Sequence, residues 1–323
     1  MIRAYHSDEG RLRPMENAAG RLAEAVWIDL LSPTPEEAAE VNRQIGVEIP
    51  TRAEMEEIEI SSRLYLDDGA AFMTAVLPAH ADTDSPEMAP VTFVLAGERL
   101  VTVRHHEPRA FATFPQHAEK VALGCIDGES VLLALLEAVV DRLADILELA
   151  GRSVDRLSQR VFKRSDSRPT RTKEFQEVLE EIGRKGDLTT HIRESLVAME
   201  RMIGFLNQVA TQRKSHKDTR ARLKTIWRDT HSLTDHATFL AQKITFLLDA
   251  LLGMIGIEQS GIIKIFSVVA VVFLPPTLIA SIYGMNFEIM PELSWEWGYP
   301  LSLLLMVLAA VLPYLYFKRR GWL

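Results

Sequence analysis

The chain has one cysteine, Cys125, in 323 residues. An internal disulfide is therefore excluded, which fits a cytosolic bulk where thiols stay reduced. A lone cysteine of this kind reads as a small buried apolar residue. A basic excess is also missing: 36 lysines and arginines stand against 44 aspartates and glutamates, a formal charge of −8. That balance argues against a nucleic-acid partner, which calls for a basic face or stripe. The segment Gly183-Arg184-Lys185-Gly186-Asp187 lacks phosphate-loop spacing, so no nucleotide site is read. The start, Met1-Ile2-Arg3-Ala4-Tyr5-His6, lacks the apolar core of a signal peptide. No repeat, low-complexity tract, serine–histidine–aspartate set or Cys/His zinc cluster is found, so no enzyme is expected and no catalytic cofactor. His105-His106 and the His231/His236 pair are poor metal sites. Adjacent strand residues point to opposite faces, and a spacing of five is off-face on a helix.

What is present is concentrated near the end. Ile265–Tyr283 and Gly298–Phe317 carry no charged residue. Each is close to the ~20 apolar residues that a bilayer-crossing helix needs. Only residues 284–297 separate them, so the two form a hairpin. Lys264 precedes the first run, and Lys318, Arg319 and Arg320 follow the second. The connecting loop holds Glu288, Glu292 and Glu296 and no lysine or arginine. The positive-inside rule then puts both termini in the cytoplasm and the acidic loop outside. Trp295, Trp297, Tyr299, Tyr314, Tyr316 and Trp322 fall near the two interfaces, where aromatic belts form.

The first run has a polar side. At ~100° per residue, Ile263, Ser267, Ala270, Leu274, Thr277 and Ser281 lie with Ser260 within about 100° of arc, and Asp249 lies on the same side. The opposite side carries Val268, Val271, Val272 and Phe273. A polar stripe on a membrane helix faces protein or water rather than lipid. One stripe cannot enclose a path, whereas several copies round an axis can. The plainer alternative is that Ser267, Thr277 and Ser281 satisfy helix carbonyls or pack against the second run. Pro275-Pro276 removes two backbone donors, frees the carbonyls of Val271 and Val272, and should bend the helix near Leu274.

Tyr283-Gly284-Met285-Asn286 closes the first run. Met290-Pro291-Glu292-Leu293, Trp295, Gly298-Tyr299-Pro300 and a terminal Tyr316-Phe317-Lys318-Arg319-Arg320-Gly321-Trp322-Leu323 follow. Over 247–323 this set resembles the CorA-type divalent-cation transport family, in its magnesium/cobalt rather than its zinc branch. The resemblance implies a homopentameric, funnel-shaped channel in a bacterial inner membrane, passing Mg²⁺ with Co²⁺ and Ni²⁺ as secondary cargo. It implies a selectivity ring of Gly284, Met285 and Asn286 at the outer mouth. It also implies an apolar gate at Leu274, with Phe266 a second candidate ring, and closure by cytosolic Mg²⁺ bridging acidic residues of neighbouring subunits. Asp229, Asp235, Asp67 and Asp68 are candidate bridging ligands, with Asp82 and Asp84, and none is matched residue by residue. Asp249 reads either as an inner-mouth acidic ring or as a solvated carboxylate on a stalk. The loop glutamates read either as a cation-concentrating rim or as ordinary surface. Mg²⁺ dehydrates reluctantly, so a ring of amide and main-chain oxygens would hold the ion through its water. The membrane potential supplies roughly 4.6 kcal/mol per 100 mV for a dication, so no nucleotide is needed. The rivals are a zinc transporter of the same fold and a membrane-anchored sensor with non-conducting spans.

The rest is read as an α+β cytosolic domain at 1–128, then a helical region and stalk at 129–259 and the hairpin at 260–323. The hairpin divides into a first span at about 262–283, an outer loop at 284–297, a second span at about 298–317 and a tail at 318–323. Val26, Ile28 and Leu30 alternate with Trp27 and Asp29 as a strand. Ser32-Pro33-Thr34-Pro35-Glu36-Glu37 is helix-start chemistry. Arg52–Ile60 reads as one short acidic helix, and 81–90 as a loop. Arg63–Leu66 and Ala71–Leu77 form a hairpin through Asp67-Asp68-Gly69, and Val91–Leu95 and Leu100–Arg104 form another. Helical periodicity then covers 129–162, 169–208 and 219–283, with a break at 165–169.

Overall fold

The computed structural model describes residues 1–16, 20–83, 86–162, 171–286 and 290–322. For 171–173, 292 and 293 it describes the backbone alone. The expected break at 165–169, with Asp84, Glu288 and the side chain of Glu292, lies outside the described residues. The chain forms two compact units, Met1–Leu248 and Asp249–Leu323.

The first unit is built on a seven-stranded sheet. Its strands are β1 (Ile2–Asp8), β2 (Arg11–Pro14), β3 (Trp27–Leu31), β4 (Leu64–Asp67), β5 (Ala70–Ala79), β6 (Glu87–Ala96) and β7 (Arg99–Arg104), in the order β2-β1-β3-β7-β6-β5-β4. All neighbours are antiparallel except β3 and β7. Two tight turns have both central residues at positive φ, Glu9-Gly10 (49° and 79°) and Asp68-Gly69 (44° and 77°). That is the backbone a two-residue hairpin prefers. Sequence pattern does not reveal the β1–β2 hairpin, because Arg3, His6 and Ser7 break its apolar alternation.

Two sequence expectations change here. Arg52–Ile60 is two single turns, α2 (Arg52–Met55) and α3 (Ile60–Arg63), with α1 (Pro35–Ile45) preceding them. Thr51 caps α2 in a capping box with Glu54. Beyond it, Glu54/Glu57 and Glu56/Glu59 would stack like charges three apart on a continued helix, which is destabilising. The 81–90 loop is shorter than read, because β6 starts at Glu87 and Pro90 lies in it opposite Val76. β7 pairs β6 only from Val91 onward, so Pro90 has no ladder partner on that side to deprive of an N–H.

Both faces of the sheet are covered. Ile28, Leu30, Val94, Val101 and Val103 share one core with Val41 of α1 and Met55 of α2. The other face carries Trp27 and Phe93 against Phe111 of α4 (Arg109–Lys120), with Phe114 edge-on to Trp27. Sequence pattern also passed over α4, which carries Pro115 in its interior. Asp29 is buried on this second face. Arg104 donates to it from Nε (3.0 Å) and Nη2 (2.8 Å), and Thr102 Oγ1 donates at 2.9 Å. Trp27 Nε1 donates to Thr102 (3.0 Å), and Arg104 Nη1 donates to the His106 carbonyl (2.8 Å). The carboxylate and guanidinium are thus paired and hydrogen-bonded, the condition under which buried charge is tolerated.

Long helices complete the unit. α5 (Gly128–Phe162) starts tight against β7. A Cβ on Gly128 would come within 2.3 Å of the Arg99 carbonyl carbon, so only glycine fits. α6 (Arg171–Gln212) ends with Lys214 in the left-handed region and Ser215 N bonded to the Ala210 carbonyl. Arg213 then reaches the carbonyls of Gly69, Gly97 and Leu95, tying two hairpins to this corner. α7 (Lys217–Tyr283) continues through Pro275 and Pro276 without interruption, and α8 (Gly298–Arg319) follows.

Candidate functional site

The second unit consists of the end of α7, a short 3₁₀ turn at Pro291–Ser294, and α8. Both helices have windows long and apolar enough to cross a bilayer, with mean hydropathy 2.3 and 2.0. Lys264 Nζ lies 5.9 Å from the Trp322 ring, and Trp322 stacks on Phe317. The start of the first span and the end of the second are therefore side by side, and the helices run antiparallel.

The first span has two unlike sides. Val268 is 3% exposed, and Val272, Ile279 and Tyr283 are half-buried. Ser260, Ile263, Ser267, Ala270, Leu274, Thr277 and Ser281 are exposed, as are Asp249 and Phe266. At ~100° per residue the covered stripe lies roughly 160° round the helix from the polar one. Two hydroxyls in that stripe turn back onto their own helix: Ser267 Oγ donates to the Ile263 carbonyl (2.8 Å) and Thr277 Oγ1 to that of Phe273 (2.7 Å). Such bonds cover the hydroxyl proton and leave oxygen lone pairs facing outward. On α8 the buried residue is Ser302, whose Oγ donates to the Tyr299 carbonyl.

Past the last turn, Gly284 N donates to the Ala280 carbonyl at 3.0 Å, and Met285 N to that of Ile282 at 3.3 Å. A Cβ on Gly284 would sit 3.0 Å from the Ala280 oxygen. Glycine avoids that tight contact with the helix end. Asn286 is exposed and has no hydrogen-bond partner among the described residues. Its amide is free to bind a ligand or its water. Trp295, Glu296 and Trp297 are exposed.

The acidic bridging candidates belong to the first unit. Asp67 and Asp68 are exposed at the β4–β5 turn. Asp229 is 3.8 Å from Arg228, and Asp235 is 4.0 Å from His231 Nε2. Asp82 is held by Arg142 (2.5 Å) and Arg109 (3.0 Å), and the Arg142 hydrogen bond lowers its carboxyl below the usual range. Among the described residues, no three His, Cys, Asp or Glu side chains form a metal cluster. One grouping escaped the sequence reading: Glu137, Asp141 and Asp145 repeat every four residues on α5. Partial burial raises the Asp141 carboxyl, and Glu137, Asp145 and Asp229 raise it further. The spacing of four was the available signal. His106 is buried with Nε2 2.8 Å from the Leu77 carbonyl, and burial lowers its pKa.

A family model described as "CorA-like Mg2+ transporter protein" matches residues 23–319. Relatives named magnesium transport protein CorA include those of Pasteurella multocida and Escherichia coli K12. Each is 37% identical, with all of both chains covered. The solved structure of the Methanocaldococcus jannaschii CorA magnesium transporter superposes with TM-score 0.79 at 20% identity, covering 100% of this chain and 99% of that one. The full-length CmaX protein follows at TM-score 0.68 and 14% identity, covering 100% and 98%.

Proposed function

This chain belongs to the CorA family of Mg²⁺ transporter proteins, and from that premise we propose that it is a passive, gated channel carrying Mg²⁺ into the cytoplasm. Co²⁺ and Ni²⁺ are secondary cargo. The functional unit is a homopentamer in the bacterial inner membrane, with both termini cytoplasmic. The observation that carries the reading is the uncovered polar stripe of α7, opposite the covered stripe and ending at Gly284-Met285-Asn286. Copies arranged with those stripes inward enclose a path lined by hydroxyls, small side chains and one apolar level.

The steps follow from the residues. Asn286 and the main-chain oxygens of Gly284 and Met285 take hydrogen bonds from the water around Mg²⁺, sparing the cost of stripping it. Glu288, Glu292 and Glu296 raise the local cation concentration at the rim. Ser281, Thr277 and Ser267 offer oxygen lone pairs to the hydrated ion along the span. Leu274, with Phe266 below it, closes the path by dewetting. Asp249 gathers cations at the inner mouth. Cytosolic Mg²⁺ bridging carboxylates of adjacent subunits, with Asp229, Asp235, Asp67 and Asp68 as candidates, holds the closed form.

The test is Mg²⁺ entry into vesicles carrying purified protein. Asn286→Ala should reduce entry by about 100-fold, the ~3 kcal/mol of one or two charge-assisted contacts, while leaving folding and assembly intact. Unchanged Mg²⁺ entry would favour a non-conducting sensor, and preferential Zn²⁺ entry a zinc transporter.

A further inference from the structure

The first unit contains a cavity of about 540 Å³ lined by Arg63, Val76, Arg193, Glu194, Val197, Ala198, Arg201, Thr234 and Thr238. Its walls come from the end of α3, from β5, and from facing stretches of α6 and α7. The volume is within the ~300–1,000 Å³ typical of small-ligand sites.

Its charge is unusual for this chain. Three guanidinium groups face one carboxylate, Glu194, in a protein of formal charge −8. Several other arginines of the unit find acids, as Arg222 does with Glu137, Arg142 with Asp82 and Arg160 with Glu181. Arg193 and Arg201 make no hydrogen bond or ion pair with any described residue. Arg63 spends its Nε on the Glu57 carbonyl (2.6 Å), which leaves both terminal nitrogens uncommitted. Glu194 is the one carboxylate in the lining, and the neighbouring Glu200 is engaged elsewhere. Glu200 accepts from Thr234 Oγ1 at 2.7 Å and lies 3.3 Å from His231 Nδ1. Val76, Val197 and Ala198 give the cavity an apolar wall beside this cationic rim.

Guanidinium is planar, always charged and weakly hydrated, and its forked donors match phosphate oxygens. Three of them against the single carboxylate of Glu194 leave the cavity with a surplus of positive charge that a phosphate group would balance. We propose that this cavity is a binding site for a small multivalent phosphate anion, held by Arg63, Arg193 and Arg201. The site has no phosphate-loop backbone, so side chains alone do the recognition. The proposal does not depend on the ion path.

Equilibrium dialysis of purified full-length protein, in detergent and free of divalent cations, tests it with labelled pyrophosphate and labelled ATP. Pyrophosphate carries only the phosphate chemistry, while ATP adds a base for the apolar wall. Saturable binding of either probe to the wild type is expected, weakened by at least about tenfold in Arg193→Gln/Arg201→Gln. Arg156→Gln, whose guanidinium bonds Ser153 on α5, should bind as the wild type does. If the double glutamine variant fails to fold, Arg193→Lys/Arg201→Lys decides, with binding expected between the two because charge remains and the fork is lost. No saturable binding by the wild type up to about 5 mM overturns the proposal. So does undiminished binding in whichever double variant folds. Loss of assembly in a double variant, seen by light scattering, while the wild type takes up neither probe, would assign the arginines to a contact between copies and also overturn it.

Discussion

The sheet unit and the hairpin unit treat their polar groups in opposite ways. In the first, a buried carboxylate is matched donor by donor: Asp29 receives Arg104 and Thr102, and Trp27 closes the chain of bonds. In the second, hydroxyls bond only to their own helix, Asn286 has no partner among the described residues, and large apolar side chains such as Ile265, Val269 and Phe273 are exposed. The Asp29 network of the sheet unit is satisfied within one chain. The hairpin presents two different uncovered surfaces, a broad apolar one suited to lipid and a narrow polar one. The narrow polar surface makes sense only beside water or other copies. The difference separates what stabilises the protein from what it does.

Breaking the satisfied side should have the largest effect. Asp29→Ala leaves the Arg104 guanidinium buried and unpaired, and should cost about 3–5 kcal/mol of stability, read by denaturant unfolding. A loss below ~1 kcal/mol would mean that the network is relaxed by water. Opening the unsatisfied side should act on flux and spare the fold. Leu274→Ser replaces the apolar level with a wetted one, and should raise Mg²⁺ entry at high internal Mg²⁺ by about tenfold with unchanged unfolding. No rise would remove Leu274 from the gate.

The smallest effect concerns His106 in the sheet unit. Burial lowers its pKa, with Arg104 and His105 adding to this and the Leu77 carbonyl and Glu87 opposing it. A lowered folded-state pKa means that the unfolded chain takes up the proton first. Stability is then fully present above ~6.5 and is lost as pH falls through the folded value. Unfolding measured from pH 7 to pH 5 should show a steeper decline for the wild type than for His106→Gln. Equal slopes would show that other groups set the acid limit.

Legibility in the sequence divides along the same line. The two apolar helices of the hairpin were legible, because charge-free runs of that length are local signals. The long helices were legible for the same reason, their apolar periodicity being sustained. The sheet was read in part. Asp29 and Arg104 look like ordinary polar strand positions until a covering helix buries them, and α4 was masked by its own Pro115. The arginine-lined cavity was invisible, since it joins positions 63, 193 and 201 from separate elements. Gly128 likewise owes its identity to a contact with Arg99.

The most direct test of the account is cysteine scanning along the first span during Mg²⁺ flux. The native Cys125 is a quiet background, buried with its thiol pushed up to about 11. Single cysteines at Ser267, Ala270, Thr277 and Ser281 should react with a charged, water-borne thiol reagent and block entry, while those at Val269 and Phe273 should stay unreactive. Labelling confined to Val269 and Phe273, or block without regard to face, would contradict the claim that the polar stripe lines the ion's path.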